Sequence, residues 1–338
     1  MYTDFYGLTD RPFQLTPDAR FWFESRTHKK AMAYLGYGLA QGEGFIVITG
    51  EIGAGKSTLV AHLMATIDRE RLNAISLVST QVEGDDMLRL AAQGLGLETG
   101  GVMKAQLLDR IEQRLREEAS RGKRTLLIVD EAQTLPTSAL EELRMLSNFT
   151  SQGRALIQIF LLGQPEFRDR LAGDEGLEQL KQRVIATHHL ETMDGNEVEP
   201  YMVHRLAVAG WQGRPTFSPD AFAALYRHSN GLPRRLNQLA ARLFLYAGVE
   251  QLEGIDAGAV EAVAADMAAD RPERISKRVL PLRRRADMLE AGSDPSIERR
   301  LAAIEARIDE QEAAVRRVLT VLLDWVENES QPRRSNAA

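Results

Sequence analysis

The segment from Gly50 to Ser57 constrains the fold of this chain more than any other. It spells GEIGAGKS and follows the apolar run Phe45 to Ile48. Glycines at these spacings let consecutive backbone N–H groups point at phosphate oxygens at the start of a helix, whose dipole also favours anions. The segment therefore predicts a strand, a phosphate-binding loop and a helix that together bind a nucleotide.

ATP with Mg²⁺ is the predicted ligand of this loop. Lys56 is predicted to neutralise phosphate charge, and the hydroxyl of Ser57 is predicted to ligate Mg²⁺. The apolar run Leu59 to Ile67 fits the helix that follows the loop. The residues of this segment that we expect to bind the nucleotide are Gly50, Gly53, Ala54, Gly55, Lys56, Ser57 and Thr58.

The composition limits the alternatives. A chain of 338 residues is long enough for two domains and an extension. The absence of cysteine excludes disulfides, thiol nucleophiles and thiolate metal sites, and the net charge of −6 argues against a globally basic nucleic-acid binder. No stretch reaches the roughly 18 apolar residues of a membrane span, and the N-terminus lacks the pattern of a secretion signal. We therefore expect a cytoplasmic protein.

Apolar runs alternate with helical patterns through the first half of the chain. This alternation predicts an α/β fold, in which helices cover both faces of a parallel sheet. The predicted strands are Phe45 to Ile48, Ala74 to Val78, Thr125 to Val129 and Ala155 to Leu162, and the predicted helices include Lys104 to Glu118 and Ser138 to Phe149.

The pattern becomes wholly helical from Glu197 to Met267, which predicts a small helical lid. We expect lid helices at Glu197 to Ala209, Asp220 to His228, Arg234 to Gly248 and Asp256 to Met267.

The predicted organisation has five parts. Residues 1–195 form the α/β nucleotide-binding domain and 196–270 the lid. A basic linker at 271–295, a coiled coil at 296–328 and a disordered tail at 329–338 follow.

The predicted coiled coil has a regular apolar seam. From Ile297 to Trp325 the seam residues recur at alternating intervals of four and three, with Gln311 as the single polar member. A lone polar seam residue often fixes the register of a coil. Flanking Glu and Arg residues favour contact with a second copy or a partner, and the alternative is one amphipathic helix packed against the body of the protein.

The linker carries a concentration of positive charge. Seven Lys or Arg residues lie between Arg271 and Arg285, where Glu273 is the single acid. This stretch could contact nucleic acid or anionic lipid, or it could be a solvated connection between parts of the chain.

Two adjacent carboxylates follow the apolar strand Thr125 to Val129. Ligands of parallel sheets lie at the carboxyl ends of the strands. Asp130 is therefore predicted to ligate Mg²⁺ together with Ser57, and Glu131 is predicted to be the catalytic residue that polarises the attacking water. The second acid favours ATP hydrolysis over passive nucleotide binding.

Gln164 and Arg234 are predicted to reach the phosphates from other elements. Gln164 follows the last predicted strand, where its amide could bond to the γ-phosphate and the water, or could simply cap a loop. Arg234 is the first residue of a predicted lid helix and ends the string GLPR. Its position is similar to that of the arginine in the sensor 2 motif of AAA+ ATPases. The adjacent Arg235 is the alternative.

An arginine finger is predicted at Arg183. The stretch Leu180 to Val184 lies where AAA+ proteins usually place this residue, which acts on the ATP of a neighbouring subunit. Arg170 is the alternative, and either choice implies a homo-oligomer. Such a finger contributes roughly 10³- to 10⁵-fold in rate.

The histidines and the N-terminal aromatic residues carry less information. None of the six histidines forms a credible metal pair in the sequence. The aromatic residues either belong to a core or partly line an adenine pocket, and they are Tyr2, Phe5, Tyr6, Phe13, Phe21, Trp22 and Phe23.

These motifs resemble the ExeA-like group (general secretion pathway protein A) of AAA+ ATPases. The resemblance covers about residues 1–270 and includes the strings MYTDFYGLTDRPFQLTPDARFWFES, GEGFIVITGE, LLIVDEAQTLP, ALEELRMLSNF and LLGQPEF. Within the group, the strings are most similar to the ATPase of XrtA/PEP-CTERM (exosortase, exopolysaccharide) systems. The resemblance implies ATP hydrolysis coupled to an envelope export machine, with Lys56, Ser57, Asp130 and Glu131 at the matching positions.

The C-terminal region departs from that group. ExeA-type proteins continue into a transmembrane helix and a periplasmic peptidoglycan-binding part, where this chain has its heptad segment, so cell-wall binding is not carried over. We expect the coil to contact an inner-membrane export or polysaccharide-assembly protein, which would place the chain in the cytoplasm at the inner membrane. A DNA-binding AAA+ ATPase of the transposition-regulator type and a nucleotide-dependent scaffold are the alternatives.

Overall fold

A five-stranded parallel sheet organises the computed structural model, which describes residues 2–42, 44–78 and 83–270. The predicted basic linker, coiled coil and tail, at 271–338, lie outside the described residues. Across the described part of the chain, no helix combines the length and the apolar character needed to cross a bilayer.

The large sheet consists of β1 (Phe45–Gly50), β2 (Leu72–Val78), β3 (Arg124–Asp130), β6 (Ile157–Gly163) and β7 (Val184–Leu190). The remaining described strands have two residues each and form two small pairs, β4 (Thr150–Ser151) with β5 (Arg154–Ala155) and β8 (Thr216–Phe217) with β9 (Gly254–Ile255).

Helices flank the large sheet and make up most of the segment predicted as a lid, for which we keep the name lid. They are α1 (Tyr2–Tyr6), α2 (Arg26–Gln41), α3 (Lys56–Thr66), α4 (Gly84–Gly94), α5 (Lys104–Ser120), α6 (Thr137–Leu146), α7 (Pro165–Gly173), α8 (Glu178–Lys181), α9 (Gly195–Val208), α10 (Pro219–Ser229), α11 (Pro233–Val249) and α12 (Ala257–Ala269).

The strand order places three functional loops side by side. The order is β2-β3-β6-β1-β7, and every neighbouring pair is parallel. Strand β6 lies between β1 and β3, so the residue after β6 falls between the phosphate-binding loop and the carboxylates that end β3. The predicted α/β fold is confirmed.

Continuous apolar strands form because helices cover both faces of the sheet. Val47 and Leu127 face one core, which α4, α5 and α6 complete. Ile46 and Leu126 face the opposite core, which α2 and α3 complete. Each of these side chains is fully buried, and burial of one such side chain stabilises the fold by about 1.5–3 kcal/mol. The strands whose carboxyl ends carry the loops are therefore anchored in two buried cores.

The lid has its own core, and the N-terminal residues share it. Leu206, Leu225 and Leu243 pack there together with Tyr6 and Phe13. The N-terminal segment thus contacts residues about two hundred positions later in the chain. One such contact is the hydrogen bond from Thr9 N to Ala209 O (2.8 Å).

Most predicted elements are present, but the predicted strand Ala155 to Leu162 is divided between β5 and β6, and the predicted helix Ser138 to Phe149 ends at Leu146. The prediction for the lid is also partly wrong. The four lid helices are present, but the segment from 197 to 267 is not wholly helical, because Thr216–Phe217 pairs in parallel with Gly254–Ile255. Two-residue strands are too short to show a hydrophobic period. The pair holds the ends of the α9–α10 and α11–α12 connections together.

Candidate functional site

The loop between β1 and α3 turns through two glycines in the left-handed region. The φ angles of Gly53 and Gly55 are 90° and 97°, which residues with a Cβ rarely adopt. Gly55 is the N-cap residue of α3, which begins at Lys56. The first N–H groups of a helix have no partner within the helix, so they are available to an anion at this loop.

Neighbouring elements leave no space for a side chain at the same glycines. A Cβ on Gly53 would lie 2.3 Å from Cβ of Arg234, and a Cβ on Gly55 would lie 2.6 Å from Nε2 of His28. Both separations are too short for real atoms. The shape of the loop is therefore fixed by α11 and α2 as well as by its own sequence.

Two predicted contact residues lie behind the loop. Gly50 ends β1, and a Cβ there would meet Leu190 at 2.9 Å. Ala54 is buried, and its N–H donates to the carbonyl of Glu51 at 3.0 Å. The N–H of Ala54 is thus engaged within the loop in this structure.

Lys56 is buried beneath the loop with its ammonium group among backbone carbonyls. Its Nζ donates to Gly50 O at 2.7 Å and to Glu51 O at 3.1 Å. Burial lowers the pKa of Lys56, whereas the nearby carboxylates of Glu131 and Asp130 act in the opposite direction. A buried ammonium group that donates to two backbone carbonyls of the loop is well placed to bind an anionic group that enters the loop.

The side chains of Ser57 and Asp130 contact each other at the carboxyl ends of the strands. Oγ of Ser57 donates to Oδ2 of Asp130 at 3.1 Å, although the residues are 73 positions apart. A hydroxyl and a carboxylate are hard oxygen donors, and Mg²⁺ is usually held by one or two carboxylates plus phosphates and water. This pair of oxygen donors therefore fits an Mg²⁺ ion that arrives with a phosphate ligand. Among the described residues, no group of three or more His, Cys, Asp or Glu side chains is placed to hold a metal ion.

Glu131 occupies a backbone conformation that is uncommon for a residue with a side chain. Its φ is 57° and ψ is 37°. The conformation is held by hydrogen bonds, since Glu131 N donates to Asp130 Oδ1 at 2.9 Å and Glu131 O accepts from N and Oγ1 of Thr134 at 2.9 and 2.8 Å. The chain then makes a 3₁₀ turn over Ala132–Thr134.

Two glutamine amides contact the carboxylate of Glu131. Oε2 of Glu131 accepts from Nε2 of Gln133 at 2.5 Å and from Nε2 of Gln164 at 3.4 Å. Oε1 of Gln133 in turn accepts from the backbone N of Gln164 at 2.9 Å. The structure therefore brings Gln164 beside Glu131, and it adds Gln133, which the sequence shows only as a polar residue two positions after Glu131 in LLIVDEAQTLP.

A cleft of about 380 Å³ opens above the loop. This volume lies within the usual range for small-molecule sites, roughly 300–1,000 Å³. We call its two sides the sheet wall and the lid wall. The sheet wall includes Gly53, Gly55, Lys56, Ser57, Thr58, Glu131 and Gln164, and the lid wall includes Leu15, Trp22, Phe23, Tyr201, Arg205 and Arg234.

Arg205 ties the N-terminal segment to the lid. It is 6% exposed, and its guanidinium group donates to Pro12 O at 2.5 Å, Gln14 O at 3.3 Å and Tyr201 Oη at 3.4 Å. The same group lies 4.8 Å from the ring centroid of Phe21, a cation–π distance. The lid wall therefore depends on contacts between distant parts of the chain.

The N-terminal aromatic residues divide between the core and the cleft. Tyr6, Phe13 and Phe21 are buried, whereas Trp22 and Phe23 line the lid wall. The ring of Trp22 stacks on His62 of α3, with 4.4 Å between the centroids.

His28 packs against the back of the loop in its neutral form. Burial lowers the pKa of His28 to about 4, against a smaller opposing effect of the Gly55 and Ala54 backbone. Its Nδ1 lies 2.6 Å from Oγ of Ser25, the N-cap residue of α2. At neutral pH the ring is therefore uncharged and packs between α2 and the loop.

Arg234 reaches the cleft, and Arg235 does not line it. The backbone N of Arg234 donates to Gly53 O at 3.1 Å, which joins the first turn of α11 to the loop. Its side chain is exposed on the lid wall. Arg235 is also exposed but is not among the residues that line the cleft.

Arg183 lies at the opposite end of the sheet from the loop. Its carbonyl accepts from the N of Phe45, the first residue of β1, at 2.9 Å. Its guanidinium group contacts O and Oγ of Ser147, both at 3.3 Å. Arg183 therefore does not line the cleft of its own chain.

Arg170 on α7 is likewise bonded within its own chain. It donates to Leu135 O at 2.5 Å and to Thr137 Oγ1 at 2.8 Å. Neither arginine lines the cleft, so the choice of a finger between them stays a prediction.

The sheet order, the loop and the lid define a P-loop protein with the α/β AAA+ fold. Residues 39–171 match the AAA domain family. The chain is 35% identical over 274 residues to General secretion pathway protein A of Aeromonas hydrophila, a match that covers 81% of this chain and 50% of the relative. Residues 39–171 are thus similar to AAA domains, and the chain spans about half of the length of that relative.

Solved structures of low sequence identity share the fold. Cdc6p from Pyrobaculum aerophilum matches with a TM-score of 0.58 at 15% identity, over 73% of this chain and 68% of that one. The ADP form of the ORC2 protein from Aeropyrum pernix matches with a TM-score of 0.56 at 16% identity, over 77% of this chain and 73% of that one. At these identities the likeness shows the fold alone.

Proposed function

We propose that this chain hydrolyses ATP with Mg²⁺ in the cleft between the sheet wall and the lid wall. The contact between Ser57 Oγ and Asp130 Oδ2, with Glu131 next in sequence and on the same cleft, is the observation that supports this most strongly. A nucleotide-binding site without turnover has no need of a second carboxylate beside the metal ligand.

The triphosphate is bound by the loop and by two cations. The N–H groups at the start of α3 and the ammonium group of Lys56 bind the β- and γ-phosphates, and Arg234 approaches them from the lid. Mg²⁺ held by Ser57 and Asp130 would neutralise charge that develops on the phosphates during the reaction.

Glu131 acts as the general base, and Gln164 orients the γ-phosphate and the water. The water oxygen forms a bond to the γ-phosphorus while the bond from that phosphorus to the bridging oxygen breaks, and its electron pair leaves with ADP. Glu131 takes a proton from the water, so the products are ADP and phosphate, and the proton passes to solvent afterwards.

A neighbouring copy completes the site. We assign the finger to Arg183, because it lies in the stretch Leu180 to Val184 where AAA+ proteins usually place this residue, and Arg170 is the alternative. Neither arginine lines the cleft of its own chain. Turnover per subunit is then expected to rise with protein concentration, because an arginine finger contributes roughly 10³- to 10⁵-fold.

The cellular role that fits best is powering or regulating a cell-envelope system that exports exopolysaccharide or protein. The similarity to General secretion pathway protein A supports a secretion-linked role, and the XrtA/PEP-CTERM association rests on the sequence strings alone. The coil predicted at 296–328 would contact an inner-membrane component of that system.

The test is phosphate release by the full chain with ATP, with and without Mg²⁺, over a range of protein concentrations. We expect Mg²⁺-dependent release in the wild type and loss of ATP binding in Lys56→Ala. Lys29→Ala is the matched control, because Lys29 is exposed on α2. Absence of phosphate release at every concentration would contradict the proposal.

A further inference from the structure

The side chain of Gln133 connects the ends of two strands of the sheet. Its Nε2 donates to the carboxylate of Glu131, which follows β3, and its Oε1 accepts from the backbone of Gln164, which follows β6. A carboxamide carries donors and an acceptor on one group. A carboxylate at this position could not donate to Glu131, and an aliphatic side chain could make neither bond.

The left-handed conformation of Glu131 makes this connection possible. With φ at 57°, the chain reverses and enters the 3₁₀ turn, so that Gln133 returns towards the carboxylate two residues earlier. Thr134 closes the same turn on Glu131 O. Strained backbone of this kind persists where the surrounding structure fixes it, and it concentrates at functional sites.

The two amides on Glu131 are not equivalent. Gln133 contacts Oε2 at 2.5 Å and Gln164 contacts the same oxygen at 3.4 Å, so the first bond is the stronger. In the proposed reaction Gln164 turns to the γ-phosphate and the water, which leaves Gln133 as the group that holds the carboxylate. The other oxygen, Oε1, accepts no hydrogen bond from the described residues.

We infer that Gln133 is a positioning residue for ATP hydrolysis: it fixes Glu131 through Oε2, so that Oε1 takes the proton of the attacking water. The same amide ties Glu131 to the backbone of Gln164, so the base and the residue that orients the γ-phosphate keep one geometry. This inference rests on the proposed function. Gln133 itself is not among the residues that line the cleft.

Steady-state kinetics of the full chain test the inference first. Gln133→Ala frees the carboxylate, and because positioned general bases contribute about 10²- to 10⁴-fold, we expect kcat to fall about 10- to 100-fold. KM for ATP should stay within about threefold, since Gln133 makes no contact in the binding loop. Gln133→Glu, which keeps the size but cannot donate to Glu131, should lose at least as much.

A matched control separates this role from a general effect of losing an amide–carboxylate pair. Nε2 of Gln113 contacts Oε1 of Glu117 at 3.4 Å on the exposed face of α5, outside the cleft. Gln113→Ala should leave kcat and KM unchanged. Loss of nucleotide binding or of the thermal transition in both Gln133 variants would show a structural role and overturn the inference.

A double variant tests whether Gln133 acts through Glu131. In the Glu131→Gln background, Gln133→Ala should cause no further loss of kcat, because residues that act as a unit are not additive. If the loss of kcat in the double variant equals the product of the losses in the two single variants, the inference is wrong.

The same series separates this inference from the proposed function. If the wild type does not hydrolyse ATP, both the proposed function and the inference are wrong. If the wild type hydrolyses ATP and the Gln133→Ala variant has the same kcat, only the inference is wrong.

Discussion

The two walls of the cleft are built in different ways. The sheet wall consists of residues that follow the carboxyl ends of β1, β3 and β6, and their positions follow from the strand order. The lid wall depends on contacts between distant segments, such as the bond from Arg205 Nε to Pro12 O across 193 positions. The sheet wall is therefore positioned by the order of strands within one sheet, whereas the lid wall is positioned by contacts between segments that are far apart in the chain.

This difference predicts two kinds of variant. Changes in the reactive groups of the sheet wall should remove turnover and leave the fold intact. Changes in the lid wall should lower stability or nucleotide affinity and leave the chemical step intact.

Glu131→Gln should show the largest effect. Loss of the general base lowers kcat by about 10²- to 10⁴-fold, while binding of a fluorescent ATP analogue and the thermal transition remain close to the wild type. Glu141→Gln is the matched control, since Glu141 forms an ion pair with Arg144 on α6, away from the cleft. Equal turnover in wild type and Glu131→Gln would remove Glu131 from its role.

Arg205→Ala should lower the free energy of unfolding by about 3 kcal/mol, because hydrogen bonds to charged groups contribute about 1.5–3 kcal/mol each. Arg205→Lys should recover only part of this, since an ammonium group lacks the fork that reaches three acceptors. Urea unfolding measures both.

The control for Arg205 is Arg242→Ala. Arg242 forms an exposed ion pair with Asp270, and such pairs contribute about 0–1 kcal/mol. If Arg205→Ala were no more destabilising than Arg242→Ala, the lid wall would not be held by Arg205.

Stability should fall on acidification because of His28. Its pKa of about 4 in the folded protein lies below the value of 6.5 for an ordinary histidine, so the unfolded state takes up the proton first. The stabilisation is complete above pH 6.5 and is lost as the pH falls towards 4. Between pH 7 and pH 5 this amounts to about 2 kcal/mol.

The measurement compares urea unfolding of wild type and His28→Gln at both pH values. The wild type should lose about 2 kcal/mol more than the variant over this interval, because the variant lacks the titrating ring. Other histidines titrate in both proteins and cancel in the difference. Identical losses would show that His28 is not the group responsible.

Trp22→Ala should give the smallest effect. Removal of this aromatic surface from the lid wall should weaken ATP binding about fivefold, since an aromatic contact contributes about 1 kcal/mol, and kcat should not change. Tyr37→Ala is the control, because Tyr37 is exposed on α2 outside the cleft. A fall in kcat without a change in affinity would reverse the assignment of the two walls.

The fold was largely predictable because its strands are buried on both faces. Continuous apolar runs locate β1, β2, β3 and β6, and the residues that end them follow directly. Helices α1 and α2 carry no comparable signal, and the β8–β9 pair is too short to show a period. The lid core could not be predicted either, since it combines residues from both ends of the described chain.

Within the site, prediction succeeds where residues are contiguous and stops where geometry is tertiary. The position of Gln164 beside Glu131 follows from β6 lying between β1 and β3. The contact between Gln133 and Glu131 depends on the left-handed backbone conformation of Glu131, and no residue type in that stretch predicts this conformation. The bond from Arg183 to Ser147 likewise depends on how α6 and β7 meet.

Ser57 and Asp130 are proposed to hold a divalent ion together with ATP, and binding of Mn²⁺ measures this directly. Electron paramagnetic resonance can titrate Mn²⁺ into the full chain with and without ATP, since carboxylate and hydroxyl oxygens suit Mn²⁺ as well as Mg²⁺. Asp86→Asn is the control, because Asp86 is an exposed carboxylate on α4. We predict one Mn²⁺ bound tightly only with ATP, with affinity reduced about tenfold or more in Asp130→Asn and unchanged in Asp86→Asn. Equal Mn²⁺ affinity in wild type and Asp130→Asn would contradict the account.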